Sequence, residues 1–265
     1  MMHLMSRIPV KFTIKLTNRR LLSGLLLSSL ILLPTAALAN YSPQRRNPPK
    51  ENTRVGGSRG CPGGENIPLT VLLAPHTFVG KTASVRPTLA WFASKPEKTE
   101  IHLYEFGTNN KMHQTIAIAK IHKSQTRAGI NKFKLPPNKA LTAGKHYLWQ
   151  VLVQCTDGSD LIQKAEFEVV QKPRALEAQL SNVTDSSQRA NIYAQNELWY
   201  EALDEALKIY RQGKLGKIDS ELIKDLIVVY KDELKNEVRE AKKQDIQKQI
   251  SNLQAILNDN ISLKK

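Results

Sequence analysis

From Ile67 onward the chain alternates short apolar runs with turn residues, and after Lys172-Pro173 this gives way to apolar positions spaced three and four apart. The first stretch predicts seven strands: IPLTVLLAP, PTLAWFA, EIHLYEF, QTIAIAKI, INKFKLP, KHYLWQVLVQC and QKAEFEVV. Short runs bounded by Gly, Pro, Asn or Lys mark an all-β sandwich or barrel. In the sixth run Tyr147, Trp149, Val151, Val153 and Cys155 fall on one face, and His146, Leu148, Gln150, Leu152 and Gln154 on the other, as a period of two requires. Trp91 and Trp149 lie in the two strands expected at the centre, so both indoles are read as core residues.

The most specific local signal is LTAGKHYLW, Leu141 to Trp149. It fits the L-x-x-G-x-x-Y pattern of the tyrosine corner, in which a phenol bonds back to the backbone at the start of a sandwich strand. Tyr147 is the tyrosine. RPTLAWF and GINKFKLPPNKALTAGKHYLWQV resemble the second strand and the E to F passage of fibronectin type III-like domains. Residues 61–172 are therefore expected to form an immunoglobulin or fibronectin III-like antiparallel β-sandwich. True immunoglobulin domains carry a core cysteine two residues after this tyrosine, where Trp149 stands here; Cys155 comes eight residues after it.

Residues 173–265 read as α-helical, so the fold class is α+β. SSQRANIYAQNELWYEALDEALKIYRQGK predicts an αα-hairpin with a tight turn near Asn196, similar to one tetratricopeptide-like unit but with no second copy. A long helix follows, with Asp219 or Ser220 as its cap. Its apolar positions run through Leu234 and Val238 and resume at Ile246, Ile250, Leu253 and Leu257. Two readings stay open for the end, a short coiled coil or a solvated helix lying along the domain.

The N-terminus adds a compartment. Lys11, Lys15, Arg19 and Arg20 precede the apolar run LLSGLLLSSLILL, and Ala37 and Ala39 follow at alternate positions, the layout of a signal peptide over 1–39 cleaved after Ala39. An uncleaved anchor is the alternative, but Leu21 to Leu33 is 13 residues where a bilayer takes roughly 20. The chain is then expected in the periplasm or secreted. Residues 40–60, NYSPQRRNPPKENTRVGGSRG, are nearly empty of large aliphatics and read as a disordered basic linker.

Export changes the meaning of charge and cysteine. Five of the 39 basic residues precede Asn40, leaving 34 against 24 acidic ones, a net of +10. The excess lies in residues 40–172, since 173–265 hold fifteen of each sign. Outside the cytoplasm nucleic acid is not the expected partner, and an envelope protein or polysaccharide, another anionic polymer or a lipid surface is; solvated lysines without a specific partner are the plainer reading. Two cysteines in an exported chain point to a disulfide. Cys61 to Cys155 would close a 95-residue loop, a constraint worth up to about 4.7 kcal/mol in the chain-entropy model.

Catalytic signals are weak. RVGGSRGCPGG is glycine-rich but lacks the G-K-[ST] and the following helix of a phosphate cradle. Arg54 and Arg59 in it are candidate contacts for an anion or partner. His76, His102, His113, His122 and His146 form no ligand spacing, so neither a metal nor another cofactor is expected. No G-x-S-x-G is present to place a serine nucleophile. Glu100, Glu105, Asp157, Asp160, Glu166 and Glu168 leave paired carboxylates open. Trp199 is read as packing at the helix and sheet junction, with an exposed sugar-stacking aromatic as the alternative.

GGSRGC, PTLAWF, LTAGKHYLWQVLVQC and NELWYEAL, in that order, resemble the cyanobacterial secreted family known as domain of unknown function 928. The resemblance runs from about Arg54 to Tyr230 and implies export, a sandwich with a helical tail, and a first cysteine in an arginine- and glycine-rich setting partnered late in the sandwich. No activity comes with it. The expected function is a non-enzymatic interaction or structural module of the cell envelope, binding a protein or anionic polymer; a carbohydrate-binding module or a periplasmic hydrolase are the alternatives.

Overall fold

The computed structural model describes residues 40–51, 70–107, 112–154, 160–208 and 215–262, all within one unit, Ala36–Lys265. The signal region, Arg54, Arg59, Cys61 and Cys155 lie outside the described residues, and with them the expected disulfide.

Among the described residues eight strands form two sheets. β1 (Thr70–Leu72), β3 (Thr88–Ala93) and β6 (Gly129–Lys134) make a three-stranded sheet in the order β1-β3-β6. β2 (Gly80–Thr82), β4 (Thr99–Phe106), β5 (Met112–Ile121), β7 (His146–Gln154) and β8 (Asp160–Val169) make a five-stranded sheet in the order β2-β8-β7-β4-β5. Every pairing is antiparallel except β2 with β8. The unforeseen strand is β2, whose GKT is too short and polar to show a period of two.

The inward faces follow the alternation. Tyr147, Trp149, Val151 and Val153 of β7 meet Ile101 and Leu103 of β4 and Leu89 and Trp91 of β3 in one buried cluster. β3 is buried at all six positions, because α3, described next, packs against it from the other side.

Among the described residues five α-helices follow: α1 (Arg174–Leu180), α2 (Ser186–Gln195), α3 (Trp199–Ala206), α4 (Lys217–Asn236) and α5 (Glu240–Ser262). Asp185 caps α2 by accepting from Gln188 N–H at 2.9 Å. The α2–α3 turn is tight enough to place Glu197 at φ 62°, a left-handed conformation uncommon outside glycine. The expected cap at Asp219 or Ser220 is not what is found. α4 starts earlier, its N-cap is Gly216, and Asp219 is a buried first-turn residue. The long helix is also two helices: Glu237 Oε1 accepts from Val238 and Arg239 N–H at 3.1 and 2.9 Å and so ends one and starts the next. α5 then folds back on α4, burying Ile246, Ile250 and Leu253.

The second difference concerns residues 40–51. They carry no helix or strand, yet they are a strap fastened to the domain rather than a free linker. Tyr41 is 2 % exposed and joins the core, its ring edge-to-face on Trp199 with centroids 4.9 Å apart. Tyr41 N–H donates to Asp225, Gln44 N–H to Glu197, and Lys50 and Glu51 N–H to the two oxygens of Glu166. Composition read the segment as too polar to bury anything; one buried aromatic, four backbone donors each met by a distant carboxylate, the Arg46–Asp232 ion pair at 2.9 Å and the bond from Val79 N–H to Asn47 O hold it.

Candidate functional site

The structure first places the residues singled out by sequence. Tyr147 Oη accepts from Thr142 N–H at 2.9 Å and donates to Glu105 at 3.2 Å, which is the corner geometry. Burial raises its pKa, so the phenol stays a neutral donor. Trp91 and Trp149 are both buried, as is Trp199. Trp149 Nε1 donates to Tyr200 Oη at 3.2 Å and Trp199 Nε1 to Leu73 O at 2.9 Å. The three indoles thus serve the core and the helix–sheet joint and present no exposed face on which a sugar would stack.

The histidines are dispersed. His76 lies buried against Tyr230 Oη at 2.8 Å, His122 turns onto Ser124, and His146 Nε2 stands 2.8 Å from Glu166. His102 bridges Glu100 and Tyr104, 2.9 Å from each, and the hydrogen bond from His102 holds Glu100 below its usual pKa. Among the described residues no three His, Cys, Asp or Glu side chains converge as a metal site. The carboxylates are occupied by scaffolding: Glu105 by Tyr147 and Lys145, Glu166 by the strap and His146. Asp157 lies outside the described residues.

What sequence reasoning missed is the open side of the sandwich. β5 ends the five-stranded sheet and β6 ends the three-stranded sheet, and among the described residues no strand pairs with the far side of either. Between them runs a groove of about 570 Å³, floored by Ile116, Ile118 and Ala119 of β5 with Phe133 and Pro136, and rimmed by Lys134 and Lys139. Ile118 is 54 % exposed, unusual for a large aliphatic in this chain.

The edge carries positive charge. Lys120 is 3.7 Å from Glu100 and Lys134 is 3.8 Å from Asp204, both largely in solvent. Lys132 and Lys139 are exposed and make no ion pair among the described residues. An edge strand offers a row of unpaired N–H and C=O groups, and proteins blunt such edges with charge, proline or bulges. β5 does so sparingly: its register shifts lie toward one end, between Leu103 and Tyr104 and between Glu105 and Phe106 of its partner β4, leaving Ala117–Ile121 in regular pairing. The run TIAIAK, with no charge before its last residue, was the legible signal for this edge.

With fold and edge described, comparison with known proteins adds a family. The model of the Domain of Unknown Function family DUF928 matches residues 54–251. The chain belongs to that family. No curated protein matches this DUF928 member. Among solved structures it is similar to CopC from Methylosinus trichosporium OB3b, at 17 % identity over 36 % of this chain and 87 % of that one, with a TM-score of 0.26. It is also similar to the soluble domain of PmoD from a Methylocystis species, at 12 % identity over 33 % of this chain and 75 % of that one, with a TM-score of 0.24. Neither likeness is deep enough to assign the DUF928 chain a ligand.

Proposed function

We propose that the protein is an exported, non-enzymatic interaction module of the cell envelope that grips an extended, acidic segment of a partner protein along β5. The observation that carries this reading is the open ten-residue edge strand beside an apolar groove with a lysine rim. A partner strand added there satisfies the free backbone groups of β5. Its alternate side chains reach the groove, and its acidic residues meet Lys120, Lys132, Lys134 and Lys139. The strand order and the Tyr147 corner support an immunoglobulin or fibronectin III-like sandwich as the scaffold. An anionic polymer would use the lysines but neither the backbone edge nor Ile118.

The test uses the full exported chain and a labelled peptide of alternating Val and Glu, followed by fluorescence anisotropy. Binding is expected, with Ile118→Pro removing it and Lys132→Glu with Lys139→Glu weakening it by about tenfold or more. Retention of the peptide by the Ile118→Pro variant, or binding only of a sulfated polysaccharide in a manner indifferent to Ile118, would overturn the reading.

A further inference from the structure

A second site lies where the sandwich meets the helices. A half-open pocket of about 260 Å³ lies between the segment after β2 and helices α2 and α3, with Arg86, Lys172, Tyr193, Glu201, Asp204 and Glu205 on its wall. Glu201, Asp204 and Glu205 sit at i, i+3 and i+4 of α3 and so share one face of the helix.

Two of these carboxylates are anchored by one oxygen and bare at the other. Glu201 Oε1 accepts from Thr82 Oγ1 at 2.8 Å and from Ala83 and Ser84 N–H at 2.7 Å each. Its Oε2 is buried without a partner. Glu205 Oε1 is held by Arg189 Nε and Lys208 Nζ, each at 2.9 Å, and its Oε2 is again buried without a partner. Asp204, by contrast, accepts from Thr88 Oγ1 at 2.8 Å. A buried acceptor left unmet is costly, and two on one helix face, in residues lining one cavity, ask for a ligand that brings N–H donors.

The cavity wall also carries the opposite charge. Arg86 spends Nε on the carbonyl of Leu135 at 2.9 Å and makes no ion pair among the described residues, so its guanidinium is fixed in place with its charge unmatched. Lys172, at the rim, is only loosely engaged, 3.6 Å from an exposed Glu177. Glu201 has no cationic partner among the described residues and Arg86 no anionic one, although both line the same space. A lone cation would leave Arg86 uncompensated, and a lone anion would face three carboxylates. The volume lies below the roughly 300 Å³ at which drug-sized pockets begin, so the ligand is small.

We infer that this cavity binds a small zwitterion of the α-amino acid class, its ammonium against the acidic face of α3 formed by Glu201, Asp204 and Glu205 and its carboxylate on Arg86 and Lys172. Tyr193 supplies an aromatic wall, held by Arg189 at its phenol. The inference uses a different surface from the β5 edge and stands or falls separately from it.

The experiment is calorimetric titration of the full exported chain with L-alanine, ethylamine and propionate. L-alanine is expected to bind, and each half-ligand to bind at least about tenfold more weakly. Glu201→Gln, which keeps the Oε1 acceptor and removes the charge, and Arg86→Ala each reduce L-alanine binding by about tenfold or more. Lys172→Ala, at the rim and away from the core, gives a smaller loss and serves if Glu201→Gln does not fold. Ethylamine binding as tightly as L-alanine would reduce the site to a cation pocket. No heat from L-alanine at about millimolar concentration, or full binding by a folded Arg86→Ala variant, would overturn the inference outright.

Discussion

The indole N–H of Trp149, in the middle of β7, donates to the phenol of Tyr200 in the first turn of α3, 3.2 Å away and out of contact with water. Through that bond the centre of the sandwich and the helical region share one core, and Gly80 leaves just the room the Tyr200 ring needs, since a Cβ there would lie 3.1 Å from Tyr200 Cε2. Tyr200→Phe keeps the ring and strands a buried indole donor. A loss of about 1–3 kcal/mol is expected, read from urea unfolding. Because the joint is shared, tryptophan fluorescence and helical circular dichroism should report one coincident transition; separate transitions would show that the two regions fold independently.

Tyr147 fixes the turn before β7. Tyr147→Phe removes the acceptor for Thr142 N–H and the donor to Glu105 while keeping the buried ring. Thr142 is exposed, so water can replace part of what is lost, and the expected cost is about 1 kcal/mol. Thermal melts of the variant and the parent check it. A cost above that of Tyr200→Phe would mean that water does not reach the vacated corner.

The strap hangs on one aromatic. Tyr41→Ala removes a buried ring packed on Trp199 and is expected to cost about 3–5 kcal/mol, as other buried aromatic truncations do. Limited proteolysis supplies the local readout: cleavage between residues 42 and 51 should accelerate before any cleavage in the strands. Unchanged protection of the segment would mean that its polar anchors, Asp225, Glu197, Glu166, the Arg46–Asp232 ion pair and the Asn47 carbonyl bonded by Val79 N–H, hold it without the ring.

One half-buried and one buried group give the stability a pH signature. Burial, reinforced by Glu221, pushes Asp225 up from 3.8 to about 6, and burial pushes His76 down from 6.5 to about 4. Between pH 4 and 6, therefore, the folded chain holds the Asp225 proton more tightly than the unfolded chain, and this group removes stability as pH rises. His76 works in the other direction: the unfolded chain binds its proton more readily, so stability is lost as pH falls through the same window. Asp225→Asn keeps an acceptor for Tyr41 N–H and deletes the first effect. Its unfolding free energy should then climb more steeply with pH between 4 and 6 than that of the parent chain. An unaltered slope would place Asp225 at an ordinary carboxylate pKa.

Local pattern was enough for much of the fold. The alternation around Tyr147 and Trp149 predicted which side chains of β7 face inward, and L-x-x-G-x-x-Y located the corner, because both depend on residues within one turn or strand of each other. The helix boundary after Pro173 and the α2–α3 turn near Asn196 were legible for the same reason. β2 was not, since GKT owes its strand to a parallel partner, Phe167–Val169, more than eighty residues away. The break at Glu237 was hidden because its carboxylate takes up the N–H groups of Val238 and Arg239 between the helices while the apolar spacing runs through the gap.

The sites divide along the same line. Sequence by itself determined the strand faces, the corner, the change from sheet to helix, and the uneven basic charge, all of which are properties of composition and short-range period. Only the tertiary structure decided that β5 and β6 end their sheets side by side, that residues 40–51 are strapped down by carboxylates from Glu166 to Asp225, and that Glu201 and Arg86 line one cavity. Each of these joins residues far apart in the chain, and no period or motif in a single segment encodes which distant group will satisfy a buried donor, acceptor or charge.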